Sequence, residues 1–303
     1  MTEFLKDPET FETVNGILVP RLSPQRWEEL KTFALKPDDV FIVTYPKSGT
    51  TWTQQIVKLL RSGGREDELS LDQSVPWLEI IGSHFSADMK YHVDIDALSS
   101  PRAFKSHLPY SLVPGGLPHT TPAKYIYVAR NPKDTYVSVW YHVLSMNRQA
   151  GRPALPWDTF CSETLSRSNV LYGSWFDHVL EWWEHRNEKN ILFLKYEDMK
   201  KEPHKTVQAI AKFIGLEDAT GELIEEVVKK SSFSTMSRDS TANKESYKGS
   251  VFSHDSAFMR KGIIGDWKNH FTAEQSAMFD SVYVEKMKGS GLEFDYGDSQ
   301  EQA

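Results

Sequence analysis

Apolar residues along this chain fall into short blocks with two different spacings. From Asp38 to Tyr45 the β-branched and aromatic residues Val40, Phe41, Ile42 and Val43 run without alternation. That pattern predicts a strand buried on both faces, as in the centre of a parallel sheet. The chain then turns through Pro46-Lys-Ser-Gly-Thr-Thr-Trp52, and between Thr53 and Arg61 the residues Ile56, Leu59 and Leu60 recur at helical spacing. Arg102 to Ser106 and Lys124 to Ala129 predict two more strands, ending at His107 and Arg130. Ile191 to Leu194 predicts a fourth, ending at Lys195-Tyr196. Helices are predicted from Ser23 to Phe33, with Ser23 as cap and Pro24 in the first position. Further helices are predicted from Trp77 to Gly82, Pro132 to about Met146, Gly173 to His185, His204 to Ile214, Leu223 to Lys230 and Thr272 to Met287.

Strands that alternate with helices predict an α/β fold: a single domain with a central parallel sheet flanked by helices. The expected boundaries are an irregular lead-in over 1–35, the domain over 36–294 and a disordered tail over 295–303. Two stretches lack periodicity, Ser62 to Ser100 and the 24 residues from Ser234 to Ala257. A loop of the second length in a compact domain is usually functional or disordered.

Composition narrows the function. The chain has 303 residues and a net charge of −7, which argues against bulk nucleic-acid binding through counterion release. It leaves room for one anionic small ligand held by a local cluster of Lys and Arg. No apolar run approaches the ~20 residues of a membrane helix. The first residues, Met1-Thr-Glu-Phe-Leu-Lys-Asp-Pro, lack the basic and apolar regions of a secretory signal. There is no Asn-x-Ser/Thr acceptor. The single cysteine, Cys161, excludes an intramolecular disulfide and a Cys-rich metal site. Together these point to a cytoplasmic protein that binds neither membrane nor nucleic acid.

The strand, glycine-containing loop and helix around Gly49 have the layout of a phosphate cradle. A helix N-terminus offers unpaired N–H groups and partial positive charge, and glycine allows close approach. The loop is not a Walker motif, because Thr50 follows Gly49 and Lys47 precedes it by two. No His-Glu-x-x-His pair and no acidic cluster beside the loop implies a divalent metal.

The complete string Pro46-Lys-Ser-Gly-Thr-Thr-Trp52 resembles the 5′-phosphosulfate loop of the cytosolic sulfotransferases. That family moves a sulfonate from 3′-phosphoadenosine 5′-phosphosulfate (PAPS) to a small acceptor and releases 3′-phosphoadenosine 5′-phosphate (PAP). Phe104-Lys-Ser-His-Leu-Pro109 resembles its catalytic strand end. Tyr127-Val-Ala-Arg-Asn-Pro-Lys-Asp134 with Ser138 resembles its 3′-phosphate segment. Tyr172-Gly-Ser-Trp175, Tyr196-Glu-Asp-Met199, Phe258-Met-Arg-Lys-Gly262 and Gly265-Asp-Trp267 complete the set, in order, over about residues 14–294.

The resemblance implies in-line sulfonyl transfer. His107 is then the general base: an imidazole of ordinary pKa ~6.5 is neutral near pH 7 and can take the acceptor's proton. Its place beside Lys105 at a strand's C-terminal end is where α/β proteins bind ligands. Lys47 and Lys105 would stabilise charge on the bridging and sulfonate oxygens, and Ser138 would restrain Lys47. The donor-binding set comprises Lys47, Ser48, Gly49, Thr50, Thr51 and Trp52 from the loop, with Arg130, Ser138, Arg260, Lys261 and Gly262 at the 3′-phosphate. By resemblance Trp52 and Phe233 sandwich the adenine, with Tyr196, Ser231 and Met236 at its edges, and Phe258 belongs to the donor-binding set through the late nucleotide loop. Asn131 is structural.

The acceptor pocket is expected from Trp77, Phe85, Lys105, His107, Trp140, His142 and Val143, with 234–257 as a lid. Here the chain departs from many relatives, reading Val139-Trp-Tyr-His-Val143 where they read Tyr-Tyr-His-Phe. It also has Ala273 and Ala277 where many relatives carry Val and Glu in a short dimer contact after Lys268 and Thr272. The expectation is therefore a monomer or weak homodimer. Two rivals are a P-loop small-molecule kinase, disfavoured by the loop order, and a catalytically silent nucleotide-binding protein, disfavoured because Lys47, Lys105 and His107 are all present.

Overall fold

A two-stranded hairpin opens the chain, Phe11–Val14 (β1) paired antiparallel with Ile17–Pro20 (β2). Asn15 and Gly16 join them with φ of +50° and +81°. Two left-handed residues in a row match the twist of the flanking strands, and Asn-Gly is their favoured sequence. The described residues of the expected lead-in, 10–35, thus include this hairpin as well as the predicted helix. The structure, a computed structural model, describes residues 10–81, 93–166, 170–244 and 247–297.

Pro24–Lys31 (α1) follows, and the Ser23 hydroxyl accepts from the Arg26 N–H as predicted. Val40–Thr44 (β3) leads through the Gly49 loop into Thr50–Arg61 (α2), then Leu71–Ser74 (α3) and Ala103–Ser106 (β4). Lys124–Ala129 (β5) feeds Pro132–Gln149 (α4), Trp157–Ser166 (α5) and Trp175–Glu184 (α6). Ile191–Lys195 (β6) runs directly into Tyr196–Lys201 (α7), Pro203–Ile214 (α8), Gly221–Lys230 (α9) and Phe233–Met236 (α10). Ala273–Met287 (α11) closes the described chain. The predicted helix over 77–82 is only one tight turn, Leu78–Ile80. The Lys105 N–H donates to the Pro76 carbonyl at 2.8 Å, which holds this segment extended along β4. The tail is anchored at its start: Asp295 pairs with Lys201 at 2.7 Å, and the Trp267 indole donates to the Tyr296 carbonyl at 2.9 Å.

The four main strands form one parallel sheet in the order β4-β3-β5-β6, with Phe41 registered between Phe104 and Tyr125. Successive strand residues face opposite sides, so each apolar run feeds two cores. Phe41, Phe104, Tyr125 and Tyr127 meet Trp175 and Trp182 of α6 in an aromatic layer. Val40, Ile42, Ile126 and Val128 meet Ile56 and Leu60 of α2, Val207 of α8 and Val227 of α9 in an aliphatic one. Each such side chain contributes roughly 1.5–3 kcal/mol on burial. The sheet order has a functional consequence. From β3 the chain goes to β4 on one side and to β5 on the other, and a crevice opens outside the carboxyl ends where that direction changes. Lys47, His107, Arg130 and Tyr196 are the residues that follow β3, β4, β5 and β6 there.

Candidate active site

The loop after β3 is shaped by its backbone. Lys47 has φ of +69°, an unusual conformation for a non-glycine residue and one often kept at functional sites. Gly49 has φ of +114° and caps α2 with no side-chain hydrogen bond. A Cβ there would stand 3.0 Å from the Tyr196 ring, so glycine is needed for both conformation and space. The first N–H groups of α2 thus face the crevice unshielded by a capping side chain. Gly49, Thr50, Thr51 and Trp52 line one cavity of about 420 Å³ with Lys47. Ser48 does not line it. The residue is fully buried behind the loop, and its N–H turns back to the Tyr45 carbonyl at 3.2 Å.

His107 lines the same cavity and is only 7% exposed. Its Nδ1 lies 2.8 Å from the Thr44 carbonyl oxygen. A carbonyl can only accept, so Nδ1 carries the proton and Nε2 keeps its lone pair. Burial, then the neighbouring Lys105 charge, holds the imidazolium well below the ordinary histidine range. The ring is therefore neutral and basic at Nε2. The His107 N–H donates to Glu79 Oε1 at 2.6 Å, and His178 Nε2 donates to its carbonyl at 3.0 Å. Neither Glu79 nor His178 was expected from the sequence, because each acts on the His107 backbone rather than through a motif.

Cations surround this ring. Lys105 Nζ lies 4.0 Å over the Trp77 ring and Lys47 Nζ 3.9 Å over the Phe258 ring. Burial first, then like charge from Lys105, Arg130, Arg260 and Lys244, pulls the Lys47 ammonium down to about 7. Burial and Lys244 pull Lys105 down to about 8. Arg130 donates to the Ile263 carbonyl at 3.0 Å and stacks 4.5 Å over Tyr196. Arg260 and Lys261 both reach Asp266, each at 2.6 Å. The guanidinium atoms Nε of Arg130 and Nε and Nη1 of Arg260 are buried with no hydrogen-bond acceptor. Unspent buried donors among cations fit an anionic ligand. Trp52, Ser138, Tyr196, Ser231, Phe233, Met236, Phe258 and Gly262 line the same wall. Ser138 and Lys47 share this wall, with the Lys47 ammonium directed at Phe258.

At the other end, Trp77, Lys105, His107, His142 and Val143 line the cavity as predicted. Trp140 does not. Its indole donates to the Leu155 carbonyl at 2.8 Å and packs edge-on against Trp157. The face of α4 toward the cavity carries Val139, His142, Val143 and Met146, a helical i, i+3, i+4, i+7 stripe that passes Trp140 by. Phe85 lies outside the described residues. Asp72, Tyr172, Lys244, Tyr247 and Phe252 also line this end and were not foreseen. Among the described residues no group of three or more His, Cys, Asp or Glu could hold a metal ion, and no helix is long and apolar enough to cross a membrane.

Comparison with known proteins decides the family. The sulfotransferase domain profile matches residues 37–291, which takes in the loop, both lysines, His107 and the Arg260 segment. The chain belongs to the sulfotransferase family. Among curated sulfotransferases it is 38% identical over 285 residues to sulfotransferase 1C2 of Rattus norvegicus, covering 93% of this chain and 94% of that one. It is 38% identical over 298 residues to sulfotransferase 1B1 of Canis lupus familiaris, covering 96% and 97%. Among solved structures, mouse sulfotransferase SULT7A1 complexed with PAP superposes with a TM-score of 0.71 at 32% identity, covering 93% of this chain and 95% of that one. Retinol dehydratase, solved with androsterone and PAP, shares the fold with a TM-score of 0.78 at 24% identity, over 93% and 90%. This sulfotransferase thus carries the family's single α/β domain with its crevice at the carboxyl edge of the sheet.

Proposed function

We propose that this sulfotransferase moves the sulfonate of PAPS to a hydroxyl or amine of a small, mostly apolar acceptor such as a phenol or sterol, with His107 as general base. The observation that carries the reading is the Thr44 bond to His107 Nδ1. It leaves a neutral Nε2 lone pair in a cavity shared with Lys47 and Lys105. Bound PAPS supplies an activated sulfonate on a phosphate leaving group. Lys47 and Lys105 offer two ammonium groups to charge growing on oxygen, in a wall that excludes water and so strengthens them. Arg130, Arg260, Lys261 and the Gly262 N–H would hold the 3′-phosphate, and the buried unpartnered guanidinium donors support that assignment. Trp52 and Phe233 supply flat surface for the adenine. His107 Nε2 takes the acceptor's proton, and the Thr44 carbonyl stabilises the imidazolium that results. The PAP found with the mouse relative supports the choice of donor.

His107→Ala should lower turnover by about 10²–10⁴-fold and leave PAP affinity near the wild-type value. A variant that keeps most of its turnover rejects the base. Incubating a phenol with PAPS and, separately, with ATP tests the donor, since only the first should add the mass of a sulfonate. The chain is further proposed to be a monomer or weak homodimer, because Ala273 and Ala277 offer little side chain to a partner. A dimer that persists at nanomolar concentration in light scattering would overturn that.

A further inference from the structure

One cluster in the cavity wall has no part in the chemistry above. Lys244 Nζ lies 2.6 Å from Asp72 Oδ1, and the Tyr247 hydroxyl donates to Asp72 Oδ2 at 2.6 Å. Both side chains of the ion pair are at least nine-tenths buried, and all three residues line the cavity with Lys105 and His107. Burying two charges is costly, and a structural pair would be expected to spend all of its donors. This one does not. An ammonium has three protons, and apart from Asp72 no hydrogen-bond acceptor among the described residues serves Lys244 Nζ. Asp72, in contrast, has a partner on each oxygen. The unspent capacity at this point in the wall is cationic.

Described residues on either side of Lys244 and Tyr247 are held to the rest of the domain. The Leu71 N–H donates to the Thr241 carbonyl at 3.0 Å, and Gln149 of α4 donates to the Gly249 carbonyl at 2.7 Å. Phe252 and Phe258 pack on His142. The ammonium is therefore held at the acceptor end, in the wall that Trp77, Val143 and Met146 make apolar.

We infer that Lys244, oriented by Asp72 and Tyr247, forms an anion subsite in the acceptor chamber that selects acceptors bearing a carboxylate in addition to the hydroxyl to be sulfonated. This rests on the proposed reading of the cavity as an acceptor site. A cationic amine is disfavoured, because Asp72 already has a partner on each oxygen and the remaining charges facing the space, Lys105 and Lys244, would repel it. A carboxylate completes the ammonium's hydrogen bonds and balances the second lysine. Asp72 keeps the Lys244 ammonium aimed before the acceptor arrives, a preorganisation that lowers the cost of binding.

The test uses para-hydroxyphenylpropionate and its methyl ester, titrated calorimetrically into the full-length protein with and without PAP. The acid should bind more tightly than the ester by roughly 10–150-fold, the range of a hydrogen bond to a charged group. In Lys244→Met that ratio should fall to near one. In Asp72→Asn it should fall part-way, because the ammonium loses the carboxylate that orients it. Equal binding of acid and ester to the wild type overturns the subsite, as does an acid preference that survives Lys244→Met. So does parallel weakening of both phenols in both variants, which would mark the pair as a latch between α3 and the 241–252 segment. Turnover with PAPS is read separately. Selective binding without turnover would sustain the subsite and count against the proposed reaction.

Discussion

The backbone N–H of His107 donates to the buried carboxyl of Glu79 at 2.6 Å, so His107 is fixed through its main chain as well as its ring. Burial pushes that carboxyl from 4.5 up to about 7. Between those values the folded protein holds a proton that the unfolded chain has released, so this group lowers stability as pH rises through the window. Glu79→Gln keeps the accepting oxygen and removes the titration. Its urea stability, compared with wild type, should lose part of the decline between about pH 5 and pH 7.5. Glu79→Leu leaves the N–H buried without a partner and should cost about 1–3 kcal/mol. Identical pH slopes in wild type and Glu79→Gln would show that the carboxyl does not titrate there.

Lys47 loses its proton near 7 and Lys105 near 8 in the ligand-free protein. On the proposed reading, nucleotide anions draw on both charges. PAP affinity should therefore decline as pH rises above about 7, each deprotonating group adding up to tenfold per unit. Arginine stays charged throughout this range. In Lys47→Arg the decline should begin about a unit later, where Lys105 titrates. Calorimetry from pH 6.5 to 9 separates the two, and superimposable curves would reject Lys47 as the first group to titrate.

Arg130 carries the donor-specificity argument. Arg130→Ala should weaken PAPS while sparing the 3′-dephospho donor, narrowing the ratio of their kcat/KM by roughly 10–150-fold, the range of 1.5–3 kcal/mol for a charge-assisted bond. A ratio unchanged from wild type would place the phosphate elsewhere.

Gly262 has φ of +65°, and a Cβ built on it would meet the Phe233 ring at 2.4 Å. Gly262→Ala must move that ring or the backbone. Overpacking and left-handed strain each cost about 1–3 kcal/mol. Thermal stability and PAP affinity should fall together. A variant with wild-type values for both would show that this contact yields freely.

The four main strands were legible because an unbroken apolar run has few other uses, and the loop because its seven residues are specific. The hairpin carries a turn signal at Asn15-Gly16, but its strands have only four residues each and show little periodicity. Trp140 was misplaced by one residue, which on a helix is about 100° of rotation, enough to turn a side chain from the cavity into the core. Ser48 was assigned by membership of the loop, yet its direction depends on a turn back to Tyr45 that residue type does not encode. The Asp72 and Tyr247 contact spans 175 positions and has no periodicity, so only the folded chain reveals it. Glu79 escaped notice for the same reason.

Asp266 reaches Arg260 and Lys261 with two oxygens before any ligand arrives. These partners, with Asn269, hold its carboxyl far below the ordinary range despite its burial. A tethered carboxylate is a competitor at high effective concentration. Free sulfate or inorganic phosphate must displace or share it with nothing else to hold on to. On the proposed reading, a nucleotide is also fastened by its adenine and its other phosphate, so it meets these cations as a tethered group too. On that reading the built-in counterion would filter by valency of attachment, favouring ligands that grip the cavity at several points over small free anions.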